Sequence, residues 1–398
     1  MENNKIIKNV KTPCYILNFN ELDKNFNSLL EALNKYWDNY IIGYSYKTNA
    51  LPWLIDYFDK HNCYSEVVSE DEYNLGKKLG VSNDKFIYNG PVKSKESFFE
   101  ALENKCVVNI DSKRELEWLC DSKKKYGVGI RVNFDIEKYC NNQSQCGEEG
   151  GRFGFCYENG ELKKTIDVLK SNGVSVSGLH MHVSSKTRSL DIYKVISEVA
   201  VKIIKEYDLN LKYIDVGGGF FGGMPNKPQF SDYLKVISET LKTSLNPHKT
   251  TLIVEPGISL IGSPFSYITT VIDTKDTTYN RFVIIDGSRT NVDPLMNKNN
   301  YFHEYIYCDD KRSIIKKQVI CGYTCMEHDR LYTENDCNEF KVGDKIIFNK
   351  VGAYSMCLTP LFISYFPDVY LLKDKELKLV RSRWTANEYI QNSRIGDE

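Results

Sequence analysis

The sequence predicts an α/β architecture, a TIM (β/α)8 barrel followed by a mainly antiparallel β domain. Three observations lead there. Short β-prone runs recur about every 20 residues and alternate with amphipathic segments, the pattern of βα units around a parallel sheet. Beyond residue 265 the texture changes to β-branched and aromatic runs with polar breaks and no alternating helices. The length, 398 residues, suits a barrel of about 250 residues with an appended domain. The expected boundaries are 20–262 for the barrel and 263–398, joined by 1–19, for the β domain. A doubly wound sheet is the structural alternative.

In chain order, a short strand at 14–17 precedes a helix over about 20–37, where Leu22, Phe26, Leu29, Leu30 and Leu33 share a face. The first barrel strand runs from Ile41 to Lys47. Further strands are expected at 63–69, 85–91, 106–111, 127–133, 174–183, 211–216 and 251–255, with helices such as 70–79 and 95–102 between them. The stretch 139–154 is polar and glycine-rich, which predicts an irregular active-site loop. Strands of the second domain are expected at 267–272, 281–285, 317–321, 345–348 and 369–372, and the strand at 14–17 can join them.

Composition excludes several function classes. Basic and acidic residues number 52 and 53, so no sequence-wide field draws the chain to nucleic acid or an anionic membrane. The N-terminal Met-Glu-Asn-Asn-Lys lacks an apolar signal core, and no run approaches the roughly 18 apolar residues of a membrane span. A cytoplasmic protein acting on small molecules is expected. The twelve cysteines lack CxxC pairing and read as free thiols.

Chemistry-bearing residues sit at the ends of the barrel strands. Lys47 ends the first strand, where a partly desolvated amine can condense with an aldehyde. His180-Met-His182 ends the sixth, and alternation sends both imidazoles to one side. No third ligand lies at a convincing spacing, so no metal is expected. Gly217-Gly218-Gly219 follows the seventh strand, where backbone N–H groups can approach an anion. The spacing matches neither a dinucleotide fingerprint nor a P-loop. Glu255-Pro-Gly257 ends the eighth and offers a carboxylate to a protonated ring nitrogen or to a helix cap. An amine for an aldehyde, a carboxylate for a pyridinium, glycines for a phosphate and an imidazole for stacking converge on pyridoxal 5'-phosphate.

With these motifs in this order, the chain resembles, over nearly its whole length, the alanine-racemase-like (fold-type III) barrel family of pyridoxal-phosphate decarboxylases that includes diaminopimelate, ornithine and arginine decarboxylases. The resemblance implies a role for each matching residue. Lys47, in Tyr-Ser-Tyr-Lys-Thr-Asn, matches the Schiff-base lysine, and Glu66 an acid close to it. Arg131 matches an arginine of the fifth strand, His182 the histidine stacked on the cofactor ring, and Ser185 a serine contacting phosphate. Gly217, Gly218 and Gly219 match the phosphate loop, Glu255 the acid at the pyridine nitrogen, and Tyr354 a phosphate-binding tyrosine. Cys325 resembles a cysteine supplied by the second subunit to protonate the product carbanion, with Phe362 expected from the same subunit. A homodimer with shared sites follows.

The departures from the family pattern bear on the substrate. Ile258 stands where the family commonly has arginine after Glu-Pro-Gly, and Met326 replaces the acid that usually follows the cysteine. Asp293-Pro294 stands where diaminopimelate specialists have an Arg-Pro that grips the far carboxylate. A substrate-facing Met326, Asp293 and Phe362 fit neither diaminopimelate nor free ornithine comfortably. The expected function is decarboxylation of an amino acid or a derivatised one, acylated or carrier-tethered. Alternatives are a racemase or other α-carbon enzyme on this fold, or a non-catalytic cofactor-binding homologue.

Overall fold

The computed structural model describes residues 2–394 and Gly396. It has the expected architecture, and the chain divides into one compact unit of residues 25–260 and another of residues 1–24 with 261–398. Met1, Ile395, Asp397 and Glu398, which the expected second domain includes, lie outside the described residues.

In the first unit eight parallel strands follow one another around a closed barrel: Tyr40–Ser45, Tyr64–Val67, Phe86–Tyr88, Val107–Ile110, Gly127–Asn133, Ser175–His180, Tyr213–Asp215 and Thr251–Val254. Closure is completed where the eighth strand pairs with the first, Ile253 opposite Ile41. Each apolar run is a strand because both its faces are covered, one by helices and one by the barrel interior. Ile87, Tyr213 and Ile253 pack together in one such layer. Seven of the eight strands are shorter than the runs that predict them, and the fifth, Gly127–Asn133, matches its run. The chain turns as soon as each reaches the barrel mouth, and serines there start the next helices. Ser69, Ser94, Ser112 and Ser189 each accept a backbone N–H of the helix that follows, a cap worth about 1 kcal/mol. Lys47 is one consequence, since the first strand ends at Ser45 and Lys47 lies in a single 3-10 turn, Tyr46–Thr48. His182 is another, two residues past the end of the sixth strand.

The second unit is a nine-stranded sheet in which Cys14–Asn18 is central, antiparallel to Phe265–Asp276 and parallel to Asp368–Lys373. Its core gathers Cys14, Ile16, Ile268, Ile347 and Leu372. Three strands escape the sequence reading, Phe302–Ile306, Arg330–Asn338 and Glu376–Arg381. They carry Glu, Asp, Asn, Lys and Arg on exposed faces, so their order comes from pairing with neighbours and not from their own β propensity. Short helices also occur at Arg289–Val292 and Ala386–Ile390, where none is expected.

One buried ion pair pins the barrel mouth. Lys93 and Glu115 both have fully buried side chains, with Nζ 2.7 Å from Oε1. Lys93 also donates to the carbonyls of Gly90 and Asn109, and Glu115 Oε2 accepts the N–H groups of Asp111 and Ser112. Every charge-bearing atom is therefore engaged, the condition under which a buried pair is tolerated. Glu115→Gln keeps an acceptor for Asp111 and Ser112 but strands the Lys93 charge, and is expected to cost about 3–5 kcal/mol. Adding Lys93→Met should recover part of that loss in denaturant unfolding. Simple additivity of the two single changes would contradict this account.

Candidate active site

The strand ends bring a layer of buried polar groups to one mouth of the barrel. Lys47 Nζ lies 2.7 Å from Glu66 Oε2, with the lysine side chain about a third exposed and the glutamate buried. Glu66 also accepts Ser45 Oγ–H at 2.5 Å and the Asn89 amide at 3.0 Å. Three donors on one carboxylate fix its position, and it in turn orients the amine. Close by, Glu72 accepts the Val68 N–H at 2.8 Å. Burial pushes its carboxyl up to about 7, an effect that the Val68 N–H opposes and Glu66 reinforces.

Glu255 lies just beyond the eighth strand, 4% exposed, with its N–H donating to the Gly217 carbonyl at 2.9 Å. Burial pushes its carboxyl up, but the neighbouring His180 and Lys47 outweigh burial and hold it well below the usual carboxylate range. Asp215 hydrogen-bonds to it, and burial plus the Glu255 charge push Asp215 well above that range. Of the two acids, Asp215 therefore carries the proton and Glu255 the charge. His180 Nε2 stands 3.5 Å from Glu255 Oε2. Ligand atoms of His180, Asp215 and Glu255 all lie within 4.8 Å of one another. The fold thus supplies the third ligating group that sequence spacing does not reveal, and the absence of such a residue is no longer a reason to dismiss a metal. The Asp215 proton shared with Glu255 already relieves the repulsion between the two carboxylates.

The His180 and His182 rings stack at 6.2 Å and 23°, as strand alternation predicts. Burial lowers the His182 pKa to about 3, with Arg131 and Lys47 adding to the effect. The ring is therefore neutral. Its Nδ1 accepts the Gly218 N–H at 3.3 Å, which leaves the proton on Nε2. The glycine loop is a cradle that side chains would fill: Gly217 has φ +71, and a Cβ on Gly218 would sit 1.9 Å from the Glu255 carbonyl. Arg131 reaches Asp111 at 3.4 Å and lies 4.6 Å from the Phe153 ring centroid. Phe153 belongs to the loop over 139–154, which lines a cavity together with Arg131, Asn133 and His182. The loop is held by Gln145 N–H on the Ser184 carbonyl and Lys186 N–H on the Gln143 carbonyl. Ser185 Oγ accepts the N–H groups of Thr187 and Arg188, and its hydroxyl lies 3.5 Å from Thr187 Oγ1, which itself donates to Gln143 Oε1.

In the second unit, Cys325 is exposed on the loop 322–329, with Met326 beside it in an open pocket. Asp329 organises that loop. Its buried carboxylate accepts Arg289 N–H, Thr324 N–H and the Thr324 hydroxyl. Tyr354 is 41% exposed and holds φ +57, a conformation that costs a non-glycine residue energy. Phe362 is 38% exposed. Asp293 is 1% exposed, and its carboxylate accepts from the Arg289 guanidinium, Asn297 N–H, Lys298 N–H and the Tyr301 hydroxyl. These partners surround it, so Asp293 braces its own loop.

Sequence reasoning passed over Asn89, Asn109 and Asp215, which complete the polar layer. The signal available was a polar residue at a core position of an otherwise apolar strand, as in Phe86-Ile-Tyr-Asn89 and Val107-Val-Asn109-Ile.

The donor set suits pyridoxal phosphate: a partly exposed amine on an anionic partner, an ionised buried carboxylate, a neutral imidazole and a glycine cradle. Comparison with known proteins agrees. Residues 20–262 match the family model described as pyridoxal-dependent decarboxylase, pyridoxal binding domain. The diaminopimelate decarboxylase of Methanocaldococcus jannaschii is 28% identical, with 95% of this chain and 90% of that protein covered. That of Aquifex aeolicus is 26% identical, covering 96% and 91%. A solved structure of the M. jannaschii enzyme in co-complex with L-lysine superposes with TM-score 0.85 at 24% identity, over 99% of this chain and 94% of that one. No helix among the described residues is long and apolar enough to cross a membrane. The chain belongs to the pyridoxal-dependent decarboxylases and is a pyridoxal-phosphate-dependent carboxy-lyase acting on an amino acid.

Proposed function

We propose that this decarboxylase takes an amino acid whose far end is neutral, acylated or carrier-tethered, in place of the free diamino acid named for its relatives. The observation that carries this reading is that, among the described residues, no free carboxylate stands beside Cys325. Met326 is apolar, Asp329 is enclosed by its own loop, and the Glu327 side chain is 97% exposed and paired with Arg330. A distal ammonium taken out of water there would lack a partner, at a cost of several kcal/mol by rough estimate. A thioether instead accepts an apolar or amide-bearing chain.

Within that reading Lys47 holds the cofactor through its amine and Glu66 keeps the amine oriented. The Glu255 charge would meet the ring nitrogen, and His182 would lie on the ring. Gly217, Gly218, Gly219 and Ser185 would receive the phosphate, while Arg131 adds a cation to the same mouth. When bound, the cofactor supplies an electron sink for the pair left on the α-carbon as CO₂ departs. Cys325, from the second subunit of a homodimer, returns a proton to that carbon. Exposed Leu295, Leu358, Phe362 and Ile363 support such a dimer, because they leave apolar area for a partner to cover. A cytoplasmic setting suits the twelve free thiols.

The direct test is CO₂ release from meso-diaminopimelate, lysine and ornithine beside their acylated and carrier-bound counterparts. The derivatised substrates should be preferred at least about tenfold in kcat/KM. A free diamino acid turned over at about 10⁴ M⁻¹s⁻¹ or more would rule the proposal out. The shared site has its own test. Inactive Lys47→Ala and Cys325→Ala proteins, mixed and allowed to exchange subunits, should recover roughly a quarter of the sites. Demonstrated heterodimers that stay inactive would put both residues in one chain's site.

A further inference from the structure

We propose that Asn89 is a positioning residue of the decarboxylase site: the two hydrogens of its one side-chain amide tie Glu66, which faces Lys47, to Glu255, which would meet the ring nitrogen, and hold both carboxylates in place. The inference deepens the assignment of Lys47, Glu66 and Glu255 made above and rests on it.

Asn89 follows the third barrel strand, is 2% exposed, and is anchored by its N–H on the Val67 carbonyl at 2.8 Å. Its Nδ2 donates to Glu66 Oε1 at 3.0 Å and also to Glu255 Oε1. Its Oδ1 accepts from Asn109 Nδ2 at 2.8 Å, and Asn109 Oδ1 accepts the Tyr213 hydroxyl at 2.8 Å. This chain fixes which way the amide points. With Tyr213 donating to the Asn109 oxygen, the Asn109 nitrogen faces the Asn89 oxygen, and the Asn89 nitrogen is left to face the two acids.

Barrel interiors are normally filled by branched apolar side chains. A tyrosine and two asparagines here replace them at the expense of desolvation, and their hydrogen bonds run in one direction toward the two carboxylates. A neutral donor has a specific advantage at this point. Two buried carboxylates repel, and a lysine or arginine between them would compete with Lys47 for Glu66 and with the ring nitrogen for Glu255. An amide stabilises both charges while adding none.

The other titratable groups around the pair are accounted for. Lys47 and Glu72 lie on the Glu66 side. His180, His182 and Asp215 lie on the Glu255 side, with Tyr213 and Arg131 behind them. Removing the Asn89 donors should free both carboxylates to move, loosening Lys47 at one end and the ring-nitrogen contact at the other.

The test uses the holoenzyme and two variants. Asn89→Asp keeps the size but places a carboxyl against two carboxylates, and Asn89→Ala removes the amide without adding an acid. Each is reconstituted with pyridoxal phosphate, and the visible absorbance of the bound cofactor is titrated with pH beside equilibrium dialysis of the cofactor. Asn89→Ala should shift the titration downward, because less firmly placed carboxylates hold the cofactor's proton less well, and both variants should weaken cofactor binding about tenfold. kcat should fall more than KM changes, because the contact acts on the cofactor and not on the substrate. Unchanged titration and affinity in whichever variant folds, with only a lower melting temperature, would overturn the inference and leave the site assignment standing. A wild-type protein without any cofactor absorbance would overturn both.

Discussion

Three carboxylates, Glu66, Asp215 and Glu255, share the buried mouth of this barrel, and the arrangement of the site follows from how their charge is managed. Placing three negative charges together in low dielectric is prohibitive. The fold answers with one cation at Lys47, one proton on Asp215, and neutral donors from Ser45, Asn89 and the Gly217 N–H. The result is a polarised site. A charge-paired amine stands at one end, an ionised carboxylate at the other, and a neutral imidazole with an open glycine cradle beside them.

That polarity explains why each element ends where it does. The first strand stops at Ser45 so that a 3-10 turn can present Lys47 to Glu66, one strand over. The eighth strand stops before Glu255, whose backbone is locked to Gly217, so that the phosphate cradle and the ring-nitrogen acid move as one piece. The Lys93–Glu115 pair does similar work below Asp111, which holds Arg131 and the Gly154 N–H at the entrance of the loop over 139–154. Two layers of buried polar contacts therefore support Lys47, Glu66, Glu255 and Arg131.

The barrel was legible in the sequence because each strand is covered on both faces and must be a continuous apolar run. The residues at the strand ends were legible because an amine, two imidazoles, three glycines and an acid have no reason to recur there in a purely structural barrel. Asn89 and Asn109 were not, since a single asparagine in an apolar run reads as a turn until its partners, distant in sequence, are known. The setting of Asp293 was hidden for the same reason. Its identity invites a charge interaction with substrate, but only the fold reveals the guanidinium, hydroxyl and N–H groups that consume it. Strands such as Arg330–Asn338 were hidden by polar exposed faces, and their order depends on neighbours formed elsewhere in the chain.

The account centres on Lys47 as the amine that carries the cofactor, oriented by Glu66. The most direct measurement is borohydride reduction of the protein loaded with pyridoxal phosphate, followed by peptide mapping of the fixed adduct in the wild type and in Lys47→Ala. The account predicts one modified peptide containing Lys47 and none in the variant. A stable adduct at any other lysine, retained when Lys47 is replaced, would contradict it.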